Sequence, residues 1–177
     1  KIKLDFLNIG GGFPVNYKDY NGDLSSFSNK LYDEVENIFG LDHPKIIMEP
    51  GRYLVAEAGI IETEVILISK KNINDEIRWV YIDIGRFGGL AETENEAIKY
   101  KIISSNHNED VKTGPVIIAG PSCDGADIIY ENSKYQLPLS LRTGDKLRIL
   151  GTGAYTSVYV SNFNSMTTLK EYFVNSK

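Results

Sequence analysis

The chain has 177 residues, of which 42% are hydrophobic and 24% charged, and a formal net charge of −5. These values are ordinary for a soluble globular protein, and the negative charge argues against nucleic acids or anionic membranes as partners. No apolar run approaches the ~18 residues of a membrane-spanning helix, and the single cysteine, Cys123, excludes an internal disulfide and favours a reducing, cytoplasmic compartment.

The first quarter of the chain alternates between strand and helix patterns. Residues 3–9 are an apolar strand that ends in three glycines, and residues 24–38 repeat apolar side chains at steps of three and four, which predicts a helix closed by Gly40. Residues 45–48 predict a short buried strand that runs into the polar loop 49–52. This order is typical of a parallel sheet or an α/β barrel.

The rest of the chain has the pattern of a β domain. Residues 92–100 predict a short helix. Segments rich in Val, Ile, Tyr and Thr predict strands at residues 60–70, 77–84, 116–119, 146–150 and 157–160. We therefore expect an antiparallel sandwich or barrel over residues 56–177, after an α/β unit over residues 1–55.

Gly10, Gly11 and Gly12 directly follow the first strand. Backbone N–H groups in such a loop can approach a ligand without interference from side chains, which favours phosphate binding. In an α/β barrel, ligand sites lie at this end of the strands. The alternative is a turn that only needs positive φ at one or two positions. The spacing does not match the glycine fingerprint of dinucleotide-binding proteins.

The loop after the second strand contains Glu49 and Arg52. If the two strands are neighbours, both side chains face the same edge as the glycines. An arginine can bind a phosphate through two hydrogen bonds, and a carboxylate there could pair with a protonated ring nitrogen. The alternative is a local Glu–Arg surface pair, which is weak in energy.

Two further turns contain reactive or polar side chains. Cys123 lies between turn residues beside an acid, so its thiol could donate or accept a proton, although a small buried apolar role is the alternative. Tyr155 lies in a glycine-flanked turn and could offer its hydroxyl to an anion, although most of the eleven tyrosines are expected to be packing residues. His43 and His107 lack spaced partners, so we expect no metal site.

Four motifs in this order resemble one enzyme family: GGGFP, EPGR, GPSCDGAD and GAYT. Together with YIDIGRFGGLAETENEAIKY they are similar to the pyridoxal-phosphate-dependent ornithine/lysine/diaminopimelate decarboxylases with the alanine-racemase-like fold, in particular the bacterial lysine/ornithine branch. The resemblance covers essentially the whole chain. It implies that residues 1–55 are the last strand–helix units of a TIM-like barrel that binds pyridoxal 5'-phosphate (PLP), followed by the β domain.

The resemblance also implies roles in binding the cofactor. Gly10, Gly11 and Gly12, together with Arg52 and Tyr155, would hold the phosphate of PLP. Glu49 would pair with the pyridine nitrogen and keep it protonated, so that the ring accepts electrons when CO2 is lost.

Other implied roles belong to the substrate side of the site. The family's cysteine, here Cys123, returns a proton to the substrate carbon in the active site of the partner subunit, so the resemblance implies a homodimer with shared sites. Asp124 would bind the distal amine of the substrate, and Phe163 would line the same pocket.

The implied activity is decarboxylation of ornithine, lysine or both, giving putrescine or cadaverine for polyamine biosynthesis. Asp124 argues against diaminopimelate, because that branch carries a glutamate and a serine after its cysteine. Relatives that act on arginine, carboxynorspermidine or diaminopimelate stay open as alternatives, as do an inactive homologue that regulates a decarboxylase and a β domain with an interaction role only. The presence of Cys123, Glu49 and Arg52 argues against the inactive homologue.

The chain departs from the family pattern in two places. Animal-type ornithine decarboxylases have a substrate-binding aspartate directly before the glycine that matches Gly85; here Ile84 stands there and Asp83 lies one residue earlier, which on a strand is the opposite face. The family's Schiff-base lysine lies well upstream of the glycines, and Lys1 and Lys3 are on the wrong strand. We therefore expect the chain to be the C-terminal part of a longer enzyme and inactive by itself.

Overall fold

The computed structural model describes residues 3–108, 110–166 and 169–174. Within these ranges there are two helices, α1 (Leu24–Phe39) and α2 (Gly51–Val55). The strands are β1 (Phe6–Asn8), β2 (Lys45–Ile47), β3 (Ile60–Ser69), β4 (Arg78–Ile82), β5 (Lys101–Ser104), β6 (Thr113–Ala119), β7 (Ile128–Ile129), β8 (Tyr135–Pro138) and β9 (Lys146–Leu150). Short 3-10 segments lie at Ala56–Ala58, Arg86–Gly88, Ala91–Glu96, Gly125–Asp127, Ser157–Tyr159 and Phe163–Ser165.

The strand–helix–strand pattern of the first quarter is present. Strands β1 and β2 pair in parallel, and α1 connects them. The helix begins after Asp23, whose carboxylate accepts hydrogen bonds from the backbone N–H groups of Ser25 and Ser26 at 3.0 and 3.1 Å. It ends at Gly40, whose φ of +70° a side chain would disfavour. The two parallel strands therefore end at the same edge.

The other seven strands form one curled mixed sheet. Their order is β5-β9-β3-β4-β6-β7, and β8 pairs with β6. The long strand β3 pairs with β9 through its first half and with β4 through its second half. The register between β3 and β4 shifts between Val65 and Leu67, where the partner changes. The sheet curls into a half-barrel at this corner, as bulges permit.

One pairing differs from the predicted antiparallel arrangement. Strands β4 and β6 are parallel, with Arg78 opposite Val116 and Tyr81 opposite Ala119. A parallel pair needs a long crossover, and the chain between these strands supplies it, since it contains two 3-10 segments and β5. The remaining pairs of this sheet are antiparallel, as expected.

The core of the half-barrel is apolar and closely packed. Val80, Val116, Ile118 and Leu147 are fully buried and belong to one hydrophobic cluster. The opposite face of β4 and β6 is also covered, by a second cluster around Trp79. Burial on both faces is what a parallel pair within a sheet requires.

Buried tyrosines close one end of this core. The rings of Tyr130 and Tyr135 stack with centroids 5.2 Å apart. The hydroxyl of Tyr135 accepts from the backbone N–H of Ile102 at 2.8 Å and donates to the carbonyl of Tyr100 at 2.9 Å. Burial raises the pKa of Tyr135 above its usual value. These bonds fix β5 against β8 across the barrel.

One predicted strand is absent from the structure, and one predicted helix is shorter than expected. The strand predicted over residues 157–160 is wrong: Ser157–Tyr159 is a 3-10 turn held by local bonds, such as Tyr159 N–H to the carbonyl of Thr156 at 2.9 Å. The helix predicted over residues 92–100 is reduced to the 3-10 segment Ala91–Glu96, because Glu94 and Asn95 leave helical geometry. Strands β5, β7 and β8 were not predicted.

Candidate active site

The triple glycine forms a tight bend directly after β1. Gly10 and Gly12 adopt left-handed backbone conformations, with φ of +69° and +79°. The side-chain oxygen of Asn8 accepts from the N–H of Gly10 at 2.8 Å. A Cβ on Gly11 would lie only 2.8 Å from the carbonyl oxygen of Glu49. Each glycine is therefore required, two by conformation and one by close approach.

The loop after β2 is tied to this bend. The N–H of Glu49 donates to the carbonyl of Gly10 at 2.8 Å, and one carboxylate oxygen of Glu49 accepts from the side-chain amide of Asn8 at 2.6 Å. Because β1 and β2 are parallel, their C-terminal ends meet here, as the sequence predicted. The rest of the Glu49 carboxylate is exposed beside the bend.

Arg52 is held by three side chains. Its Nη1 donates to Glu92 Oε2 at 2.7 Å and to the hydroxyl of Tyr17 at 3.1 Å, and its Nη2 donates to Glu92 Oε1 at 2.5 Å. The ring of Tyr155 lies 4.7 Å from the guanidinium carbon. The hydrogen bonds to Glu92 raise the pKa of Arg52 further above its already high value. The arginine is therefore a fixed cation.

The turn that carries Tyr155 is placed by close backbone packing. The N–H of Gly153 donates to the carbonyl of Ala56 at 2.8 Å, and a side chain on Gly153 would overlap the carbonyl of Val55. A Cβ on Gly51 would lie 3.5 Å from the hydroxyl of Tyr155. The glycines of this turn thus bring Tyr155 against the start of α2, which contains Arg52, so the predicted polar loop 49–52 ends at Pro50.

An open pocket of about 600 Å³ lies between these elements. The predicted residues that line it are Gly11, Gly12, Glu49, Arg52 and Tyr155, and the other lining residues are Phe13, Pro14, Val15, Tyr17, Tyr20, Pro50, Gly51, Tyr53, Glu92 and Tyr159. Gly10 does not line the pocket and instead supports the bend. The sequence therefore predicted Glu49, Arg52 and Tyr155 among the polar side chains of this pocket but missed Glu92 and the other lining tyrosines, including Tyr17.

Cys123 and Asp124 lie outside the lining of this pocket. Cys123 is exposed and adopts a left-handed conformation with φ of +58°, which costs a non-glycine residue roughly 1 kcal/mol or more. The carboxylate of Asp124 accepts from the N–H of Ala126 at 2.7 Å and is exposed. Both reactive side chains are therefore presented to the surface.

Phe163 lies near the cysteine turn. Its ring stacks on Phe87 with centroids 4.2 Å apart. The side-chain amide of the adjacent Asn164 donates to the carbonyl of Ser122 at 2.9 Å. Phe163, Asn164, Ser122 and Cys123 thus form a second group of neighbouring residues, separate from the lining of the Arg52 pocket.

A buried carboxylate that the sequence reasoning missed organises this second group. Asp127 is 2% exposed and accepts from Arg86 N–H at 2.7 Å, Ser122 N–H at 3.1 Å and Ser122 Oγ at 2.6 Å. Side chains on Gly85 or Gly120 would overlap this carboxylate. The only signal in the sequence was an aspartate inside the motif GPSCDGAD, which looked like a surface turn.

Asp83 is engaged elsewhere. Its carboxylate accepts from the hydroxyl of Thr63 and from the N–H of Glu64, the latter at 2.9 Å. It therefore braces β3 and does not line the Arg52 pocket.

Across residues 3–108, 110–166 and 169–174, no group of three or more His, Cys, Asp and Glu side chains could hold a metal ion. Within the same ranges, each helix is too short or too polar to cross a membrane.

Comparison with known proteins decides the family. The profile of the family described as "Pyridoxal-dependent decarboxylase, C-terminal sheet domain" matches residues 22–153. The chain belongs to this family. The resemblance seen in the four motifs is thereby confirmed, and so is PLP as the cofactor of the family.

The relatives of this chain carry different names. Diaminopimelate decarboxylase of Staphylococcus aureus is 36% identical over 181 residues, which cover 98% of this chain and 41% of that protein. Lysine/ornithine decarboxylase of Selenomonas ruminantium is 31% identical over 164 residues, covering 92% of this chain and 39% of that protein. The crystal structure of lysine decarboxylase from Selenomonas ruminantium superposes with a TM-score of 0.73 at 30% identity, covering 93% and 41% of the two chains.

The chain thus spans about two fifths of the length of these relatives. The curled mixed sheet is the family's C-terminal sheet domain. The preference for the lysine/ornithine branch is not decided by these likenesses, because a diaminopimelate decarboxylase matches at higher identity than the lysine/ornithine enzyme.

Proposed function

We propose that the full-length protein containing this chain is a PLP-dependent decarboxylase that converts ornithine, lysine or both into putrescine or cadaverine. The observation that supports it most is the convergence of the glycine bend, Glu49, Arg52 and Tyr155 on one pocket. These residues come from three motifs that are far apart in the sequence, GGGFP, EPGR and GAYT, and the fold brings them together.

The pocket fits the phosphate end of PLP. Side chains on the glycine bend would crowd Glu49 or strain the backbone, so the bend is kept bare at the place where an anion would approach. Arg52 supplies a fixed positive charge, and the hydroxyl of Tyr155 lies beside Gly51 at the start of the same helix, α2. In this proposal, Arg52, Tyr155 and the backbone of Gly11 and Gly12 hold the phosphate group.

Other residues would hold or transfer protons during the reaction. When bound, PLP supplies a ring that accepts the electron pair released as the substrate loses CO2. The exposed part of the Glu49 carboxylate would keep the pyridine nitrogen protonated. The thiol of Cys123 would deliver a proton to the substrate carbon, and Asp124 would bind the distal amine. Because Cys123 and Asp124 lie outside the pocket lining, we propose that they serve the pocket of a second subunit in a homodimer.

Exposed apolar side chains in the first part of the chain indicate that it belongs to a larger barrel. Phe6 and Met48, at or next to β1 and β2, are 59% and 50% exposed, and Ile38 of α1 is 69% exposed. A two-stranded sheet is marginal by itself. We therefore propose that residues 1–55 are the last units of a PLP-binding α/β barrel that covers these apolar side chains.

A diaminopimelate substrate is the second candidate. The higher identity to the Staphylococcus aureus diaminopimelate decarboxylase favours it. Asp124 favours a plain amine, because its exposed carboxylate would repel the distal carboxylate of diaminopimelate. An assay of the full-length protein against ornithine, lysine, arginine and diaminopimelate in parallel separates the candidates. A kcat/KM highest for diaminopimelate would refute the ornithine/lysine assignment.

Cofactor binding is tested separately. The full-length protein, titrated with PLP, is expected to show the absorbance band of a Schiff base near the visible edge. Arg52→Gln is expected to weaken PLP binding by roughly tenfold to a hundredfold, the scale of charge-assisted hydrogen bonds to phosphate. Arg148→Gln is the control, because Arg148 is exposed on β9 and, among the residues that the structure describes, pairs only with surface Glu62. No band with PLP in excess would refute the proposal.

A further inference from the structure

We propose that Glu92 and Tyr17 are positioning residues for Arg52, which hold its guanidinium so that the edge formed by Nε and Nη2 is left for the cofactor phosphate. The inference rests on the proposed function, since it concerns how the pocket receives PLP. Neither residue belongs to a motif that pointed to phosphate binding.

The hydrogen bonds of Arg52 carry the inference. A guanidinium has five N–H donors in a fixed plane. The carboxylate of Glu92 accepts one hydrogen bond from each terminal nitrogen, and the hydroxyl of Tyr17 accepts the second hydrogen bond from Nη1. Among the described residues, nothing accepts from Nε or from the second hydrogen of Nη2. These two donors are parallel and lie on one edge, which matches two oxygens of a phosphate.

The remaining freedom of the guanidinium is also restricted. The ring of Tyr155 lies 4.7 Å from the guanidinium carbon, so one face of the plane is covered. The side chains of Arg52 and Glu92 are only 25% and 20% exposed. An arginine fixed in this way loses little rotamer entropy when an anion binds, which is how preorganisation raises affinity.

The 3-10 segment that contains Glu92 is fixed by hydrogen bonds. The next residue, Thr93, is fully buried and donates its hydroxyl to the carbonyl of Leu90 at 2.6 Å. At the end of the same 3-10 segment, the carboxylate of Glu96 accepts from the N–H of Asn132 at 2.6 Å. Both ends of the segment are therefore anchored, and the carboxylate of Glu92 has a fixed position.

The competing interpretation is that Glu92 occupies the place of the phosphate and must leave before PLP binds. The two interpretations predict opposite changes in PLP affinity when Glu92 is neutralised. If Glu92 competes with the phosphate, neutralising it tightens PLP binding, because a negative charge is removed near an anion site. If Glu92 positions Arg52, neutralising it weakens PLP binding although the local charge becomes more favourable.

The experiment measures the affinity of the full-length protein for PLP and for pyridoxal, which lacks the phosphate, by absorbance titration. Glu92→Gln is expected to weaken PLP binding by roughly tenfold, the scale of one charged hydrogen-bonded pair, and to leave pyridoxal binding unchanged. Glu94→Gln is the matched control: it removes the same charge from the same segment, but Glu94 is exposed and makes no side-chain bond among the described residues. Its PLP-to-pyridoxal ratio is expected to match the wild type.

The outcomes separate the two proposals. A wild-type protein that binds no PLP overturns the proposed function and this inference together. A wild type that binds PLP, with Glu92→Gln binding it equally well or more tightly, overturns this inference alone. Tyr17→Phe keeps the ring and removes only the hydroxyl, so it decides the question if Glu92→Gln does not fold. A PLP-to-pyridoxal ratio in Tyr17→Phe equal to that of the wild type also counts against the inference.

Discussion

The buried carboxylate of Asp127 gives the sharpest prediction about how the cysteine turn is held. Asp127 accepts three hydrogen bonds from Arg86 and Ser122, and Gly120 must lack a side chain to let the carboxylate approach. We therefore consider two changes, Asp127→Ala and Gly120→Ala, made singly and together.

The expected losses in the free energy of unfolding follow from the hydrogen bonds to Asp127 that each variant breaks. Asp127→Ala leaves the N–H groups of Arg86 and Ser122 without a partner; at about 1–3 kcal/mol for each unsatisfied buried group, the cost is about 3 kcal/mol. Gly120→Ala pushes the carboxylate away from the same donors, so it should cost a similar amount. In the double variant the methyl group enters space already vacated, and the total should stay close to that of Asp127→Ala. The coupling free energy is then about 2 kcal/mol or more.

Chemical denaturation of the full-length protein gives the stabilities, and amide hydrogen exchange gives the local effect. A loss of about 3 kcal/mol corresponds to roughly hundredfold faster exchange at Arg86 and Ser122. Gly125→Ala is the control, because a Cβ there meets open space and the backbone is not left-handed. Strictly additive costs, or unchanged exchange at Arg86 in Asp127→Ala, would refute the reasoning.

Three further predictions concern the core and the thiol. Tyr135→Phe leaves the N–H of Ile102 unpaired in the core and should lower the free energy of unfolding by about 1–3 kcal/mol, measured by denaturation. Ile118→Ala should cost about 2–5 kcal/mol because Ile118 is fully buried, whereas Ile73→Ala, at an exposed position, should cost almost nothing in the same experiment. Cys123→Ala should leave PLP binding intact and disrupt clean decarboxylation; unchanged turnover and product in that variant would contradict the role of the thiol.

The elements that the sequence predicted well are those with local signals. Helix α1 has a regular apolar period, an aspartate cap and a closing glycine, so its bounds differ from the prediction by only one residue. Strands β7 and β8 have two and four residues, too few for a period to show. The parallel pairing of β4 and β6 was missed because a buried strand reads as an apolar run in either direction.

The same distinction applies to the candidate site. The glycine bend and Arg52 could be placed together because each follows a strand of one parallel pair, and parallel strands end at one edge. Glu92 and Tyr17 could not be predicted, since they lie 40 and 35 residues from Arg52 and belong to no recognised phosphate motif. Tertiary contacts between distant loops leave no local pattern in a single sequence.

The separation of the two groups of site residues leads to a final prediction. Cys123 and Asp124 are exposed and lie outside the pocket that contains Arg52, which is the arrangement that the proposed homodimer with shared sites would need. If two subunits share each site, the Arg52→Gln and Cys123→Ala variants of the full-length protein should each form little diamine product alone, at a PLP concentration that saturates only the intact site. In their mixed dimer, one site combines an intact Arg52 with an intact Cys123.

Random mixing makes half of the dimers mixed, and each has one working site of two, so activity should recover to about a quarter of the wild type, as two-fold symmetry requires. The measurement is the rate of diamine formation after equal amounts of the two variants are unfolded and refolded together, with each variant refolded alone as the control. If one subunit supplied both residues, every site in every mixed dimer would carry one of the changes. A mixture as inactive as its components would therefore show that the site is not shared.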